Sequence, residues 1–342
     1  MTFRIAPLET DGDAHSQMAG MIFGYWACRT VFAVADLSIA DHMANVSLTA
    51  AEVAAREGSA PETTHRVMRA AVSLGLLTEE TGGRFASTPL LGTLRSDDPR
   101  TLRPLVLCLL GNWLPWHEFV SGIRTGDTPS ANAFGGSMFD YLAAHPDEAE
   151  LFTAAMAGGT AQWGPAIVDA VDTTGVQCAV DIGGANGSLL RMLQRKDPVL
   201  QGIIYDRPNV VEHARAVIAR DGLTERTRVL GGDFFEAVPP GDLLLLKFIL
   251  HDWNDDQAST ILRNCRKALI PGGRIAVIEM VVGAENPLAA IFDMNMFIMS
   301  AGRERSIEEF DALFAAAGLK RIAMHRTASP QVVIGLGPAE AD

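Results

Sequence analysis

His251, Glu279 and Glu304 are the side chains whose types and positions suit acid–base chemistry. His251 stands in Lys247-Phe-Ile-Leu-His-Asp-Trp-Asn254, just past Asp242-Leu-Leu-Leu-Leu-Lys247, which reads as a parallel strand buried on both faces. It is the one histidine of eight that falls just past the end of a core strand. An unperturbed imidazole titrates near 6.5, so it can take a proton at neutral pH. Such a base needs a carboxylate to fix its tautomer and stabilise the imidazolium. Glu279 ends the neighbouring strand Arg274-Ile-Ala-Val-Ile-Glu279, and Glu304 lies in Gly302-Arg-Glu-Arg305. The plain alternatives are a helix-entry histidine capped by Asp252, and a solvated charge run for Glu304. No other His, Cys or acid stands at metal-ligand spacing to His251, so no metal is expected.

A second set of residues points to a nucleoside. Cys178-Ala-Val-Asp-Ile-Gly-Gly-Ala-Asn-Gly187 followed by Ser188–Lys196, with leucines at helical spacing, reads as strand, tight turn, helix. Gly183, Gly184 and Gly187 let the backbone approach a ligand, beside the free N–H groups of a helix N-terminus. The turn lacks both the dinucleotide spacing Gly-x-Gly-x-x-Gly and a Walker Gly-Lys-Ser/Thr, so the ligand expected is a nucleoside without a pyrophosphate. Asp206 follows the turn by about twenty residues, at the end of Gly202-Ile-Ile-Tyr-Asp206, where an acid accepts from ribose hydroxyls. Asp233 follows Val229-Leu-Gly-Gly, where a carboxylate accepts from an adenine amine and Phe234 packs on the ring. Taken singly, each acid could be a cap or turn residue. Asp181, Asp206, Asp233, Lys247 with His251, and Glu279 together mark the carboxyl ends of an open α/β sheet, where ligands sit.

The elements that position these residues follow from pattern. From Val176 strands and helices alternate, predicting a mainly parallel sheet over 172–338. Residues 101–171 read as a helical connector, with Trp113, Trp116, Phe139, Phe152 and Met156 as an aromatic-lined pocket or as plain core. Residues 14–100 read as helix–turn–helix–hairpin, a winged-helix pattern, with the hairpin around Gly82-Gly83. An apolar helix from His15 to about Met43 calls for burial on nearly all sides, by its own domain or by a partner subunit. Residues 1–13 read as a loose tail.

The 342 residues are 48% hydrophobic and 20% charged, with net charge −13, and the pI is near 5.1. This acidity disfavours nucleic acid and anionic membranes as partners. Cys28, Cys108, Cys178 and Cys265 are far apart, as reduced core cysteines of a cytoplasmic protein are. The acidic N-terminus does not read as a signal peptide, and the longest uninterrupted apolar runs, near Leu105–Leu110 and Leu243–Leu246, are too short to span a bilayer.

The chain resembles class I S-adenosylmethionine-dependent O-methyltransferases of the caffeate/hydroxyindole type, including bacterial members that act on antibiotics and phenazines. The motifs are Asp-Ile-Gly-Gly-Ala-Asn-Gly (181–187), Tyr-Asp-Arg-Pro (205–208), Gly-Gly-Asp-Phe-Phe (231–235), Leu-His-Asp-Trp-Asn-Asp (250–255) and Gly-Arg-Glu-Arg-Ser (302–306). The resemblance implies an N-terminal winged-helix dimerisation domain, a Rossmann-like catalytic domain with a seven-stranded sheet, and a homodimer joined through the N-terminal helices. It implies that Asp181, Gly183, Gly184, Gly187, Asp206, Arg207, Asp233, Phe234, Lys247 and Thr160 bind S-adenosylmethionine. It implies acceptor contacts from Trp116, Phe152, Met156, Phe248, Asp252, Asn295, Met296 and Met299, with His251 as base between Glu279 and Glu304. The expected reaction is methylation of a hydroxyl on a small phenol, polyketide or phenazine-type compound. Alternatives are N-methylation, a non-methylating relative that keeps the cofactor, and a winged-helix ligand sensor. The chain departs from the family at Ala185, where glycine is usual; alanine is acceptable there if its φ is negative, so weaker precedent rather than lost binding is expected.

Overall fold

The computed structural model describes residues 13–339, apart from the Trp113 side chain. The tail expected over 1–13 lies, except for Asp13, outside the described residues. Two compact units emerge: residues up to 113 with 147–161, and 114–146 with 162 onward. The stretch 101–171 is thus shared between them.

The first unit starts with the helix Ala14–Asp36, capped by the Asp13 carboxylate, which accepts from the Ser16 N–H at 2.8 Å. The helix does not run on to Met43 as the apolar pattern suggested. It breaks at Leu37–Ser38, where Ser38 takes φ 48°, and a short helix Ile39–His42 follows. Arg103 braces the break: its guanidinium donates to the Ala35 carbonyl (2.8 Å) and the Ser38 hydroxyl (2.9 Å). A second correction concerns length: Ala14–Asp36 is long and apolar enough by composition to cross a bilayer, although no uninterrupted run within it is. Arg29 in that helix donates to the Leu110 carbonyl at 2.6 Å.

Strand β1 (Leu48–Thr49) leads into the helix Ala50–Glu57, where Thr49 and Glu52 form a capping box. After the helix Pro61–Ser73 come β2 (Leu77–Glu80) and β3 (Arg84–Ser87), an antiparallel hairpin whose turn glycines Gly82 and Gly83 both have positive φ. The three strands lie in the order β1-β3-β2. Val34, Ile39, Val53, Met68, Leu77 and Phe85 form the core under them.

The second unit holds a seven-stranded sheet of β4 (Cys178–Ile182), β5 (Gln201–Asp206), β6 (Thr227–Gly231), β7 (Gly241–Lys247), β8 (Leu269–Met280), β9 (Leu319–Arg326) and β10 (Gln331–Pro338). Their order is β6-β5-β4-β7-β8-β10-β9. β6 through β8 pair parallel, and β10 pairs antiparallel with both neighbours. Side chains alternate between two cores, because successive residues of a strand face opposite ways. Val180, Leu244, Leu246 and Val277 face the helices Asp255–Ala268 and Ile307–Ala316. Ala179, Leu243, Leu245 and Ile278 face the helices Ser188–Lys196 and Pro208–Arg220. The last turn of the helix Pro146–Ala170 joins that second core through Ile167 and Val168. β4 and β5 reverse order relative to β7 at the centre of the sheet, which leaves a crevice at their carboxyl ends.

Leu190 is fully buried in the second core, and its methyl groups lie where a Cβ on Gly202 would stand. Leu190→Ala is expected to lower unfolding free energy by about 2–5 kcal/mol, read by urea titration of tryptophan fluorescence; a loss below roughly 1 kcal/mol would show that the helix does not depend on this contact.

Candidate active site

The turn after β4 packs too tightly for side chains. A Cβ on Gly184 would lie 2.8 Å from the Asp181 Cγ, and Cβ atoms on Gly183 and Gly187 would overlap the Ile249 and Ile204 side chains. Gly183 and Gly187 have φ of 67° and 74°. The Gly183 N–H donates to the Tyr205 carbonyl at 2.8 Å, tying the turn to β5. Ala185 has φ 48°, so the negative φ at which alanine would be unstrained is not met. Its position is forced by what it holds: the Ala185 N–H donates to Asp206 Oδ2 at 2.8 Å. The left-handed conformation costs a non-glycine residue roughly 1–2 kcal/mol.

Asp206 and Asp233 perform turn duties as well as standing at strand ends. Asp206 Oδ1 accepts from the Arg207 N–H (2.7 Å), and Asp233 Oδ1 from the Phe235 N–H (2.8 Å). Each carboxylate oxygen keeps a further lone pair for a ligand. Burial pushes Asp206 above the usual carboxylate range. Asp181 is buried beneath the turn, and burial pushes it up to about 7 against the pull of Lys247. Burial in turn pushes Lys247 down, opposed by Asp181 and Glu279. Phe234 stands edge-on to Trp253, with centroids 5.9 Å apart, and Asn264 donates to the Phe234 and Phe235 carbonyls at 3.0 and 2.8 Å.

His251 is the middle residue of the short turn Leu250–Asp252 after β7, and the structure brings it to both glutamates. His251 Nδ1 lies 2.6 Å from Glu304 Oε1 and 3.7 Å from Glu279 Oε2. A carboxylate can only accept, so Nδ1 donates and Nε2 carries the lone pair. Among the described residues, Nε2 has no hydrogen bond; Asp252 Oδ1 is 3.8 Å away. All three members of the cluster are buried. Glu279 Oε1 accepts the Ile249 and Leu250 N–H groups at 3.1 and 2.9 Å, which fixes the turn that carries the histidine. Burial alone would lower the imidazole, but Glu279, Glu304 and Asp252 outweigh it and push His251 up to about 10. The unperturbed value near 6.5 does not hold here. Burial pushes Glu279 up to about 7 and Asp252 up to about 6, each opposed by His251.

The sequence spacing predicted no metal ligands near His251, yet His251, Glu279 and Glu304 offer ligand atoms within 4.8 Å of one another. Spacing along the chain could not show this cluster, because three distant segments converge to form it. The 2.6 Å spacing suits a shared proton better than an ion, whose bonds of about 2.0–2.2 Å would hold N and O farther apart.

Phe248 lies parallel to His251 (centroids 4.8 Å, 4°), with Phe292 near parallel to both. Met296 and Met299 are buried and Asn295 half-buried on the helix Pro287–Met299; the Met299 carbonyl accepts from the buried Ser130 hydroxyl at 2.8 Å. Trp116 is exposed and edge-on to Phe119. Phe152, Met156 and Thr160 belong to the first unit, where the Thr160 hydroxyl donates to the Met156 carbonyl at 2.9 Å.

Residues 116–320 match the O-methyltransferase domain, and 19–95 match the O-methyltransferase dimerisation domain. The chain belongs to the S-adenosylmethionine-dependent O-methyltransferases of the hydroxyindole type. It is 36% identical to phenazine O-methyltransferase PhzM of Lysobacter antibioticus over 93% of this chain and 94% of that one. The crystal structure of LaPhzM superposes with a TM-score of 0.92 at 36% identity, over 96% of this chain and all of that one. NcsB1, an O-methyltransferase from neocarzinostatin biosynthesis solved with S-adenosylmethionine and 2-hydroxy-5-methyl naphthoic acid, superposes with a TM-score of 0.80 at 30% identity, covering 91% and 96%.

Several residues of this O-methyltransferase escaped the sequence reading. Asp293 accepts the Glu304 N–H at 2.7 Å, and Phe292 flanks the histidine. Gly302 packs its Cα against the His251 carbonyl and the Asp252 backbone, leaving no room for a Cβ. Arg305, in the motif but assigned no role, is fully buried. Their spacing carries no signal, because each acts on a segment about forty to fifty residues away or on a backbone group.

Ala185→Gly should relieve the left-handed strain, offset in part by glycine's greater chain entropy. The expected gain is about 0.5–1 kcal/mol, a rise in Tm of roughly 2–4 °C in calorimetry; a lower Tm would mean that the alanine methyl contributes more than the strain costs.

Proposed function

We propose that the enzyme methylates the hydroxyl of a small aromatic acceptor, with His251 as general base oriented by Glu304 and Glu279. The observation that carries this is the 2.6 Å contact from His251 Nδ1 to Glu304 inside a buried cluster, which leaves Nε2 as the proton acceptor. The acceptor class, a phenol, polyketide or phenazine-type compound, draws support from the names of PhzM and of the naphthoate-bound NcsB1.

The residues present fit S-adenosylmethionine. Asp181, Ile204 and Ile249 pack so closely on the turn that Gly183, Gly184 and Gly187 can carry no side chain, and acids with spare lone pairs stand at successive strand ends. Gly183, Gly184 and Gly187 would take the methionine end above Asp181, Asp206 with Arg207 the ribose, Asp233 and Phe234 the adenine, and Lys247 the adenosine side; Thr160 is assigned to the carboxylate by resemblance. When bound, S-adenosylmethionine supplies a methyl group already activated on a sulfonium. His251 Nε2 takes the hydroxyl proton as the oxygen attacks, a contribution of about 10²–10⁴-fold. Glu304 and Glu279 stabilise the imidazolium so formed. Phe248 and Phe292 hold the ring plane and keep water out, and Met296 and Met299 offer an adaptable apolar surface.

We also assign the partner covering the N-terminal helix to a second copy of this chain. Ile22, Phe23, Tyr25 and Trp26 of that helix are each more than half exposed in the single chain, within the dimerisation domain.

His251→Ala should lower kcat by about 10²–10⁴-fold with cofactor affinity intact by calorimetry; undiminished turnover would remove His251 as base and favour a neutral-amine acceptor. The carboxylates raise the imidazole, so it must lose a proton before it can act. Hence kcat should climb with pH on the alkaline side of 7, and Glu304→Gln should move that limb to lower pH, measured with an acceptor that does not titrate in the range. A limb left in place would show that the group titrating is not His251. Trp26→Asp should convert a dimer into monomer in sedimentation at micromolar concentration; a wild-type monomer would contradict the assembly.

A further inference from the structure

We infer that Arg305 is a positioning residue for the transfer: one buried guanidinium and its own backbone set the register of His251, Glu279 and Glu304. The inference rests on His251 being the base. Arg305 is 0% exposed, and a buried charge persists only where it is paired and fully hydrogen-bonded. Its Nη1 donates to the Leu250 carbonyl at 2.9 Å and its Nη2 to the Trp253 carbonyl at 2.8 Å, so the fork grips the turn on both sides of His251. Nε and Nη2 also donate to Asp255 Oδ1 at 2.9 and 2.8 Å, where the next helix begins.

The backbone of the same residue reaches the other two members. Arg305 bridges to Val281 in parallel register, and its carbonyl accepts the Val282 N–H at 3.0 Å, three residues past Glu279. Glu304 is its chain neighbour, and the Arg303 N–H donates to the His251 carbonyl at 2.8 Å. Three segments distant in sequence thus meet at one residue, the turn of His251 at its side chain and the other two at its backbone. A lysine ammonium cannot span both carbonyls in the plane that the guanidinium fork does. The Nδ1–Glu304 contact depends on this register, and displacement near 1 Å at such a site costs rate more than binding.

The test compares full-length Arg305→Lys, Asp255→Ala and His251→Ala. It reads kcat, acceptor KM, S-adenosylmethionine affinity by calorimetry, the fraction of cofactor-competent protein, and the pH profile of kcat. Arg305→Lys should lower kcat by about tenfold to hundredfold per competent site, with KM and cofactor affinity nearly unchanged. Its alkaline limb should move to lower pH by roughly half a unit, because a loosened Glu304 stabilises the imidazolium less. Asp255→Ala removes a side chain that is 61% exposed; it should fold and shift kcat and limb in the same direction, by about threefold to tenfold. Wild-type kcat and pH profile in folded Arg305→Lys would overturn the inference, as would a loss that merely tracks the competent fraction with the profile unmoved. Should Arg305→Lys not fold, Asp255→Ala decides: an unchanged kcat and limb there overturn it. Turnover retained by His251→Ala would instead defeat the assignment of the base, whatever the Arg305 variants do.

Discussion

The structure depends on holding an imidazole and two carboxylates out of water at hydrogen-bond distance. Two glutamates buried side by side repel, and burial pushes Glu279 toward its neutral form. His251 supplies the compensating charge, which is why burial fails to lower it. The cluster can exist only if its three segments arrive in fixed register, so many neighbouring groups are committed to backbone support. Glu279 caps the turn of Ile249 and Leu250, Asp293 holds the Glu304 N–H, and Arg305 grips the carbonyls on either side of the histidine. Glu279 Oε2 and Glu304 Oε2 are left without a hydrogen-bond partner inside this shell. Unsatisfied buried oxygens raise the proton affinity of whatever stands beside them.

Backbone strain gathers around the same place. Of the described non-glycine residues with positive φ, Ala185 follows β4, Phe248 follows β7, and Ala301 precedes Gly302 in the segment that carries Glu304. Each turns the chain sharply at a point where a functional group must face the crevice. Phe248 lays its ring on the imidazole, and Ala185 aims its N–H at Asp206. Strain of about 1–3 kcal/mol at each persists only where surrounding packing over-determines it. The two cores on either face of the sheet provide that packing.

The first unit has the opposite character. Its core is small, and the helix that opens it turns a broad apolar face outward. The acidic chain as a whole gives that face no attraction to anionic surfaces. An apolar helix of this length is long enough for a membrane, but it carries Arg29 tied to Leu110, and the dimerisation domain covers it from residue 19 onward.

Much of the fold was legible in the chain. Continuous apolar runs such as Leu243–Leu246 mark strands covered on both faces, and Gly82-Gly83 marks a hairpin; each depends on local chemistry. The strand-end rule was enough to collect Asp181, Asp206, Asp233, His251 and Glu279, because position in a parallel strand dictates which end faces the crevice. Tertiary structure decided the rest. The break at Ser38 is braced by Arg103 from sixty-five residues away. The sign of φ at Ala185 follows from Asp206 on the next strand, and the proton affinity of His251 from three carboxylates that only folding brings together. Sequence determines residue type and local geometry, whereas distances between segments, and the desolvation and charge interactions that scale with them, come into being only when the chain closes on itself.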